Sequence, residues 1–348
     1  MFSTRPMFRL LTMTIGSIVL VASSAVSAKD SVKLSFQLDW RLEGPTAPFF
    51  LAQSKGYFQE EGLDVTFDVG SGSANAINRV AAGTYDMGFG DVNALVEFLA
   101  NNPSVPGLRA VFMTYDRTPA SVFALKSSGI RSPGDLAGKT LAAPSFDGGR
   151  RAWPVFAEVN GLPADAVKWQ TVDPALRETL LVRGDVDAIT GFLFSSQINL
   201  ESRGVKTEDL VIMQYPNHGA ELYGNAIVAS DRLLENNPDA VAGFLRAYTR
   251  GLKESIADPE AAVEYVRQRD PLIDVATEQR RLRLTISSSI DTPAARENGV
   301  GAVDMGRLQK TIDQIGKAYD LPVASLPKAE AVFEPRFLPE RNARLILQ

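Results

Sequence analysis

Apolar and polar residues alternate over Lys33–Gln37 and again over Leu63–Val69, read as Leu-Asp-Val-Thr-Phe-Asp-Val, the two-residue period of a half-buried strand. Between them a segment holding Pro45 and Pro48 leads into a short helix that ends at Gly56. After the second strand the period lengthens. Ala74, Ile77, Val80 and Ala81 fall on one helical face, with Ser73 expected as the N-cap and Gly83 as the stop. Met87–Phe89 reads as the next strand, and Asp91 as the cap of a helix carrying Val92, Leu95, Val96 and Leu99. This succession is half of an open α/β sheet. Such sheets gather helix N-termini at the carboxyl ends of their strands, where ligands bind.

The same grammar returns further along. Lys139–Ala143 predicts a strand running into Pro144-Ser145-Phe146-Asp147-Gly148-Gly149, then a helix through Val159 that stops at Gly161. Leu181 to Ile189 repeats the pattern of Val80 to Gly88, including the glycine and the aspartate that follows it. The next helix is expected near Ser195-Ser196, in the place of Asp91. A unit repeated in this way implies two lobes of similar construction. Met113–Ala120, with Pro119, and Leu222–Ala229 read as extended crossovers between the lobes, a two-strand hinge. Asn237-Pro238 and Asp258-Pro259 each open a helix in a C-terminal third expected to pack on the first lobe. The expected division is residues 29–117 with 226–348 in one lobe and 118–225 in the other, each with a mixed sheet flanked by helices.

The N-terminus changes the compartment. Arg5 and Arg9 precede an apolar run from Leu10 to about Val21, and small residues follow as far as Val26-Ser27-Ala28. This describes a secretory leader over 1–28, cleaved after Ala28 and shorter than the roughly 20 apolar residues of a membrane span. The chain has no cysteine, which excludes disulfides, thiolate metal sites, a cysteine nucleophile and a lipid-modified N-terminal cysteine. A protein free in the periplasm is the expectation. The net charge of −5 becomes more acidic once the leader and its two arginines are gone, and no basic run offers a footprint for nucleic acid.

The candidate chemistry sits at the predicted strand ends. Ser71 and Ser73, around Gly72, either form an anion- or carbonyl-binding nest with the free N–H groups of the next helix or simply cap it. Ser145 and Asp147 mark the opposing turn. Arg150 and Arg151 after them run against the helix dipole, so at least one needs a partner in Asp147, Glu158 or an acidic ligand. Trp40 can stack on a flat ligand or cover the sheet edge, and Thr46 in the loop after it is placed in the same site. Asp91 accepts from a ligand N–H or caps its helix. Tyr115, Phe192 and Tyr223, near crossovers and strand ends, floor the cleft or belong to the core. The single histidine, His218, lies in a loop composition without a nucleophile-elbow sequence. No metal-ligand spacing and no phosphate-loop motif is present, so no cofactor or metal is expected.

Leu38-Asp39-Trp40, the block Lys55-Gly56-Tyr57-Phe58 with Glu61-Gly62-Leu63-Asp64-Val65, and Gly83-x-x-Asp86 closely resemble the start of the periplasmic binding proteins that feed sulfonate, taurine and thiamine-pyrimidine-precursor ABC importers. At lower density the resemblance continues through Tyr223-Gly224-Asn225 and the C-terminal helices, covering nearly the whole mature chain. It implies a type II periplasmic binding protein fold, a monomer that closes its lobes on a small molecule and hands it to a permease, and a pocket lined by Trp40. A fungal-type thiamine-pyrimidine synthase is a more distant resemblance sharing the Leu-Asp-Trp region. That enzyme type carries a histidine shortly after the tryptophan and a cysteine-rich iron-binding motif. Here residues 41–48 hold no histidine and the chain holds no cysteine, so a binding protein, not an enzyme, is expected. A sensory module presenting its ligand to a receptor would read the same way. A pyrimidine or other flat heterocycle is favoured over a sulfonate, taurine-like or carboxylate ligand, which would use the two Ser-bearing turns.

Overall fold

The computed structural model describes residues 1–3, 31–105 and 107–346; the leader expected over 1–28 lies, beyond its first three residues, outside them. The described chain runs through β1 (Val32–Gln37), β2 (Leu63–Asp68), β3 (Met87–Asp91) and β4 (Leu108–Met113). It then crosses to β5 (Ala120–Leu125), β6 (Thr140–Ala143), β7 (Lys168–Thr171), β8 (Ala188–Phe192) and β9 (Leu210–Gln214), and returns as β10 (Asn225–Ser230). Two five-stranded sheets result, ordered β2-β1-β3-β10-β4 and β7-β6-β8-β5-β9. In each, three parallel strands meet one antiparallel strand contributed after or before a crossover. The fold is therefore α/β with two mixed sheets.

Burial follows the strand positions. β2, at a sheet edge, alternates buried and exposed residues, as its sequence predicts. β3 is buried at all five positions, because strands on both sides and helices above and below leave it no wet face. Phe36 of β1 stacks on Phe244 of the long helix Pro238–Ala257 with ring centroids 5.1 Å apart, and Phe49 and Phe67 close the same cluster. The C-terminal helices thus cover the first sheet. Asn237 and Asp258 sit at the N-caps of Pro238–Ala257 and Pro259–Arg269, as the two Asx-Pro pairs predict. No described helix is long and apolar enough to cross a membrane.

The sequence repeat has a shared chemical purpose. Asp86, just before β3, accepts from the Ser35 backbone N–H of β1 at 2.8 Å. Asp187, just before β8, accepts from the Thr140 N–H of β6, also at 2.8 Å. Each aspartate pins the neighbouring parallel strand in register, and the preceding Gly83 and Gly184 turn the chain with φ of 71° and 73°. The two connecting segments, 114–119 and 215–224, run side by side. Tyr115 N–H donates to the Asn225 carbonyl at 2.9 Å, Gly224 N–H to Tyr115 at 2.9 Å and Thr118 N–H to Leu222 at 2.9 Å.

Three local expectations are corrected. Ser73 is the first residue of the helix Ser73–Ala81, and Gly72 with φ 134° takes the cap position. The helix after β8 begins at Leu193, ahead of Ser195-Ser196, since Phe192 ends the strand as Asp91 does in the first sheet. The helix expected through Val159 is broken into Gly148–Arg151 and Trp153–Val159, because Pro154 has no N–H to carry the ladder through.

Candidate functional site

The carboxyl ends of β1, β3, β6 and β8 face one another across a cleft between the two sheets. The space that water-sized groups can occupy in it is about 40 Å³, room for a few waters. The walls are largely aromatic: Trp40, Phe89, Tyr115, Phe192 and Phe194. Tyr115 sits edge-on to Phe89 at 5.5 Å and to Phe194 at 5.8 Å, so the floor is a rigid packed set. Arg41, exposed at the rim, lies over the Trp40 ring at 5.6 Å.

The polar lining is rich in acceptors. Asp39 follows β1 and accepts from the Asn225 amide at 2.7 Å. Its residue surface is only half-buried, yet the packing around the carboxyl pushes its pKa up to about 7, against the opposing pull of Asn225. Glu43 accepts from the Ser195 hydroxyl at 2.8 Å. Asp147 caps the turn Gly148–Arg151 by accepting from the Arg150 N–H at 3.0 Å, and accepts from Arg177 Nη1 at 3.0 Å. Burial raises the Asp147 carboxyl even so, with the Arg177 charge pulling the other way.

Arg177 itself is spent. It is 1% exposed, and its Nε and Nη2 both donate to Glu178 Oε1, at 3.0 and 2.7 Å. Burial pushes the Glu178 carboxyl up, but Arg177 and the Ser196 hydroxyl outweigh it and hold it below the ordinary value. Behind the Gly148 wall lies Asp91, 1% exposed, capping the helix Val92–Asn101 through the Asn93 N–H at 2.8 Å. Burial lifts its carboxyl to about 7, and Asp147 adds to the rise. Among the described residues its second oxygen has no donor, nor do the side-chain carbonyls of Asn93 and Asn225. Buried acceptors without donors carry a desolvation cost that a donating group in the cleft would relieve.

The two lobes touch on both flanks. Arg151 pairs with Glu97, Glu43 bonds Ser195, and Gly72 lies against Phe146. A Cβ on Gly72 would meet Phe146 Cδ2 at 2.5 Å and its carbonyl oxygen at 2.8 Å, at a φ of 134° that side chains avoid. Gly72→Ala is therefore expected to wedge the closed lobes apart at a cost of about 1 kcal/mol or more. Small-angle scattering should show a larger radius of gyration than wild type; an unchanged radius would mean that this contact does not limit closure.

Of the residues read from the sequence, Trp40, Thr46, Ser73, Tyr115, Asp147 and Phe192 line the cleft. Asp91 stands behind its wall. Ser71 is exposed and accepts from Asn75 at 3.0 Å, and Ser145 is exposed beyond the turn, since both precede the residues that bend inward. Tyr223 is buried away from the cleft, under the Arg307 guanidinium at 3.9 Å, because the return crossover passes behind the hinge. Arg150 finds the Ala143 carbonyl, Thr171 and the Trp169 ring, and Glu158 pairs with Lys317, so neither arginine takes the expected carboxylate. His218 ends a 3-10 turn outside the cleft, edge-on to Phe156. Missed were Asp39, Glu43, Phe194, Ser195 and Arg177. Asp39 was visible within Leu38-Asp39-Trp40; Arg177 carried no local signal.

A family model described as "NMT1/THI5 like" matches residues 45–262. The riboflavin-binding protein RibY of Chloroflexus aurantiacus is 27% identical over 301 residues, 84% of this chain and 82% of that protein. A 4-amino-5-hydroxymethyl-2-methylpyrimidine phosphate synthase of Aspergillus parasiticus is 28% identical over 251 residues, 69% and 72% of the two chains. Among solved structures, the alkanesulfonate-binding protein SsuA of Xanthomonas axonopodis bound to MOPS superposes with a TM-score of 0.67 at 15% identity, covering 88% of this chain and all of its own. That likeness is one of fold, the periplasmic binding protein architecture.

Proposed function

The chain belongs to the NMT1/THI5-like family, and from that membership we propose that it is the solute-binding component of an ABC importer, capturing a flat heteroaromatic molecule that carries an N–H donor on its edge. The observation that carries the ligand class is the cleft lining: aromatic walls around Asp39, Glu43 and Asp147, with Arg177 already committed to carboxylates. A ring stacked beside Trp40 would present its N–H edge to these acceptors. Capture is by closure of the lobes about the paired crossovers, and the ligand stabilises the closed state by binding it better than the open one. The partner is a membrane permease, the protein acts as a periplasmic monomer, and the lobes divide near residues 117 and 225.

A sulfonate remains the second reading, favoured by the free N-terminus of the helix Ser73–Ala81 at the cleft. The acidic lining weighs against it. The synthase reading is less well supported, since the only histidine stands outside the cleft and the chain has no cysteine.

A thermal-shift series with the mature protein separates these. Riboflavin or 4-amino-5-hydroxymethyl-2-methylpyrimidine is expected to raise the melting temperature, a ligand at 100 times its Kd adding about 2.7 kcal/mol. MOPS is expected to do nothing. Trp40→Ala should weaken the heteroaromatic by about tenfold, roughly 1.4 kcal/mol of lost stacking and burial. A shift with MOPS alone would move the assignment to sulfonates, and no shift with any of the three would remove the support for solute capture of either kind.

A further inference from the structure

Beside the cleft a second buried polar cluster ties the lobes together, centred on an arginine that does not itself line the ligand space. Arg281, on the helix Val275–Thr285 that packs on the first-lobe side, is 3% exposed. Its Nη1 donates to the backbone carbonyls of Phe194 and Ser195 at 3.0 and 3.2 Å, and its Nη2 to Asn199 Oδ1 at 3.1 Å. All three belong to the helix Leu193–Glu201 that follows β8 in the second lobe. Its Nε donates to Glu278 at 2.9 Å and stands 3.6 Å from Glu43. Glu278 in turn accepts from the Gly44 N–H at 2.6 Å, and Glu43 accepts from Ser195.

One guanidinium thus gathers the loop after Trp40, its own helix and the first turn of a helix whose Phe194 and Ser195 face the cleft. The fit leaves no slack: a Cβ on Gly44 would fall 2.2 Å from the Glu278 carbonyl. The helix bearing Arg281 continues into a π-helical turn, Ile286–Ile290, where Ser289 accepts from the Arg117 N–H of the first crossover at 3.3 Å. One hydrogen bond thus joins the end of this helix to the first crossover, through a π-turn of the kind frequent at functional sites.

We propose that Arg281 is the positioning residue of the closed cleft, fastening Phe194 and Ser195 of the second lobe to Glu43 of the first, so that ligand retention depends on a side chain that does not touch the ligand. The inference rests on the proposed solute capture, but its geometry is testable without any ligand. A planar group with five fixed donors serves three acceptors on one helix and the Glu278 carboxylate on the other side at once, with Glu43 within ion-pair distance. Lysine reaches one or two of them, and methionine none.

The natural absence of cysteine makes the test direct. Spin labels at Thr66→Cys and Lys168→Cys, exposed positions on the edge strands β2 and β7, report the distance between the two sheets. In the wild-type background a single narrow distance distribution is expected. Arg281→Met should broaden it toward longer distances, and Arg281→Lys should lie between. Dissociation of riboflavin, or of the aminopyrimidine if that is the molecule bound, should be about tenfold faster in Arg281→Met with little change in association. Arg281→Lys, which keeps a charge beside Glu278, carries the test if Arg281→Met does not yield folded protein. Unchanged distances and an unchanged off-rate in either folded variant would overturn the proposal. If neither probe binds wild type, the proposed ligand class fails while the distance measurement still decides the role of Arg281.

Discussion

Arg177→Met is expected to destabilise the protein by about 3–5 kcal/mol at pH 7.5, the usual cost of stripping the cation from a buried ion cluster. Arg177 Nη1 holds Asp147 and its Nε and Nη2 hold Glu178, with the guanidinium 1% exposed. Among the described residues the second oxygen of Glu178 lacks a donor, so the loss of Arg177 leaves this carboxylate with the Ser196 hydroxyl as its side-chain donor. The sign of the pH dependence follows. In the wild type the Glu178 carboxyl titrates below its ordinary 4.5, so it stabilises above that value and its contribution is lost as pH falls through the folded pKa. Without Arg177, burial is opposed only by the Ser196 hydroxyl and backbone N–H groups and is expected to raise both acids, so the variant binds protons that its unfolded chain does not and weakens as pH rises. The deficit in urea midpoint should be largest near pH 8 and shrink toward pH 4.5. A deficit below about 1 kcal/mol across that range would mean that water reaches the cluster and that burial is not what makes it costly.

Asp91→Asn is expected to act in the opposite direction, raising stability by about 2 kcal/mol at pH 8. The wild-type carboxyl is lifted from 3.8 to about 7 by burial, so the folded protein holds a proton there that the unfolded chain has lost. Stability from this group is full below pH 3.8, falls as pH rises toward 7 and is level above it. The shift corresponds to about 4 kcal/mol at about 1.4 kcal/mol per unit, and relaxation with water entry cuts that roughly in half. Asparagine keeps an oxygen for the Asn93 N–H and carries no charge beside Asp147, so the stability curve should lose the share of its slope between pH 4 and 7 that Asp91 contributes, while the share of Asp39 remains. Thermal melts of the two proteins at pH 4.5, 6 and 8 measure this. Parallel curves would show that Asp91 keeps an ordinary carboxylate pKa.

These two residues also mark the limit of what was legible along the chain. The strands, their alternation, the Asx-Pro helix starts and the Gly–Asp steps before β3 and β8 are local signals, and the structure keeps them with shifts of one or two positions. The helix-start shifts have local causes as well: Gly72 accepts the φ of 134° that Ser73 would resist, and Pro154 splits a helix whose periodicity alone looked continuous. The cleft was located from Trp40, Ser73, Asp147 and Phe192, each next to a strand end. Ser71 and Ser145 share that neighbourhood in sequence but point to solvent, since successive residues of a turn face different ways. Tyr223 was misplaced because an extended crossover can pass on either side of the hinge.

By itself the sequence determined an α/β protein of two similarly built sheets, their exchange of strands through two crossovers, and a cleft at the carboxyl ends of the parallel strands. Period, turn residues and capping residues are properties of near neighbours, so they survive whatever the rest of the chain does. Only the tertiary structure decided which charges are free. Arg177 is spent on Asp147, 30 positions away, and the Arg281 cluster is completed by Gly44 and Glu278, 234 positions apart. Whether a buried carboxylate has a cation beside it depends on which distant segments pack against it, and that sets the chemistry of this cleft, acceptor-rich inside with Arg41 at its rim.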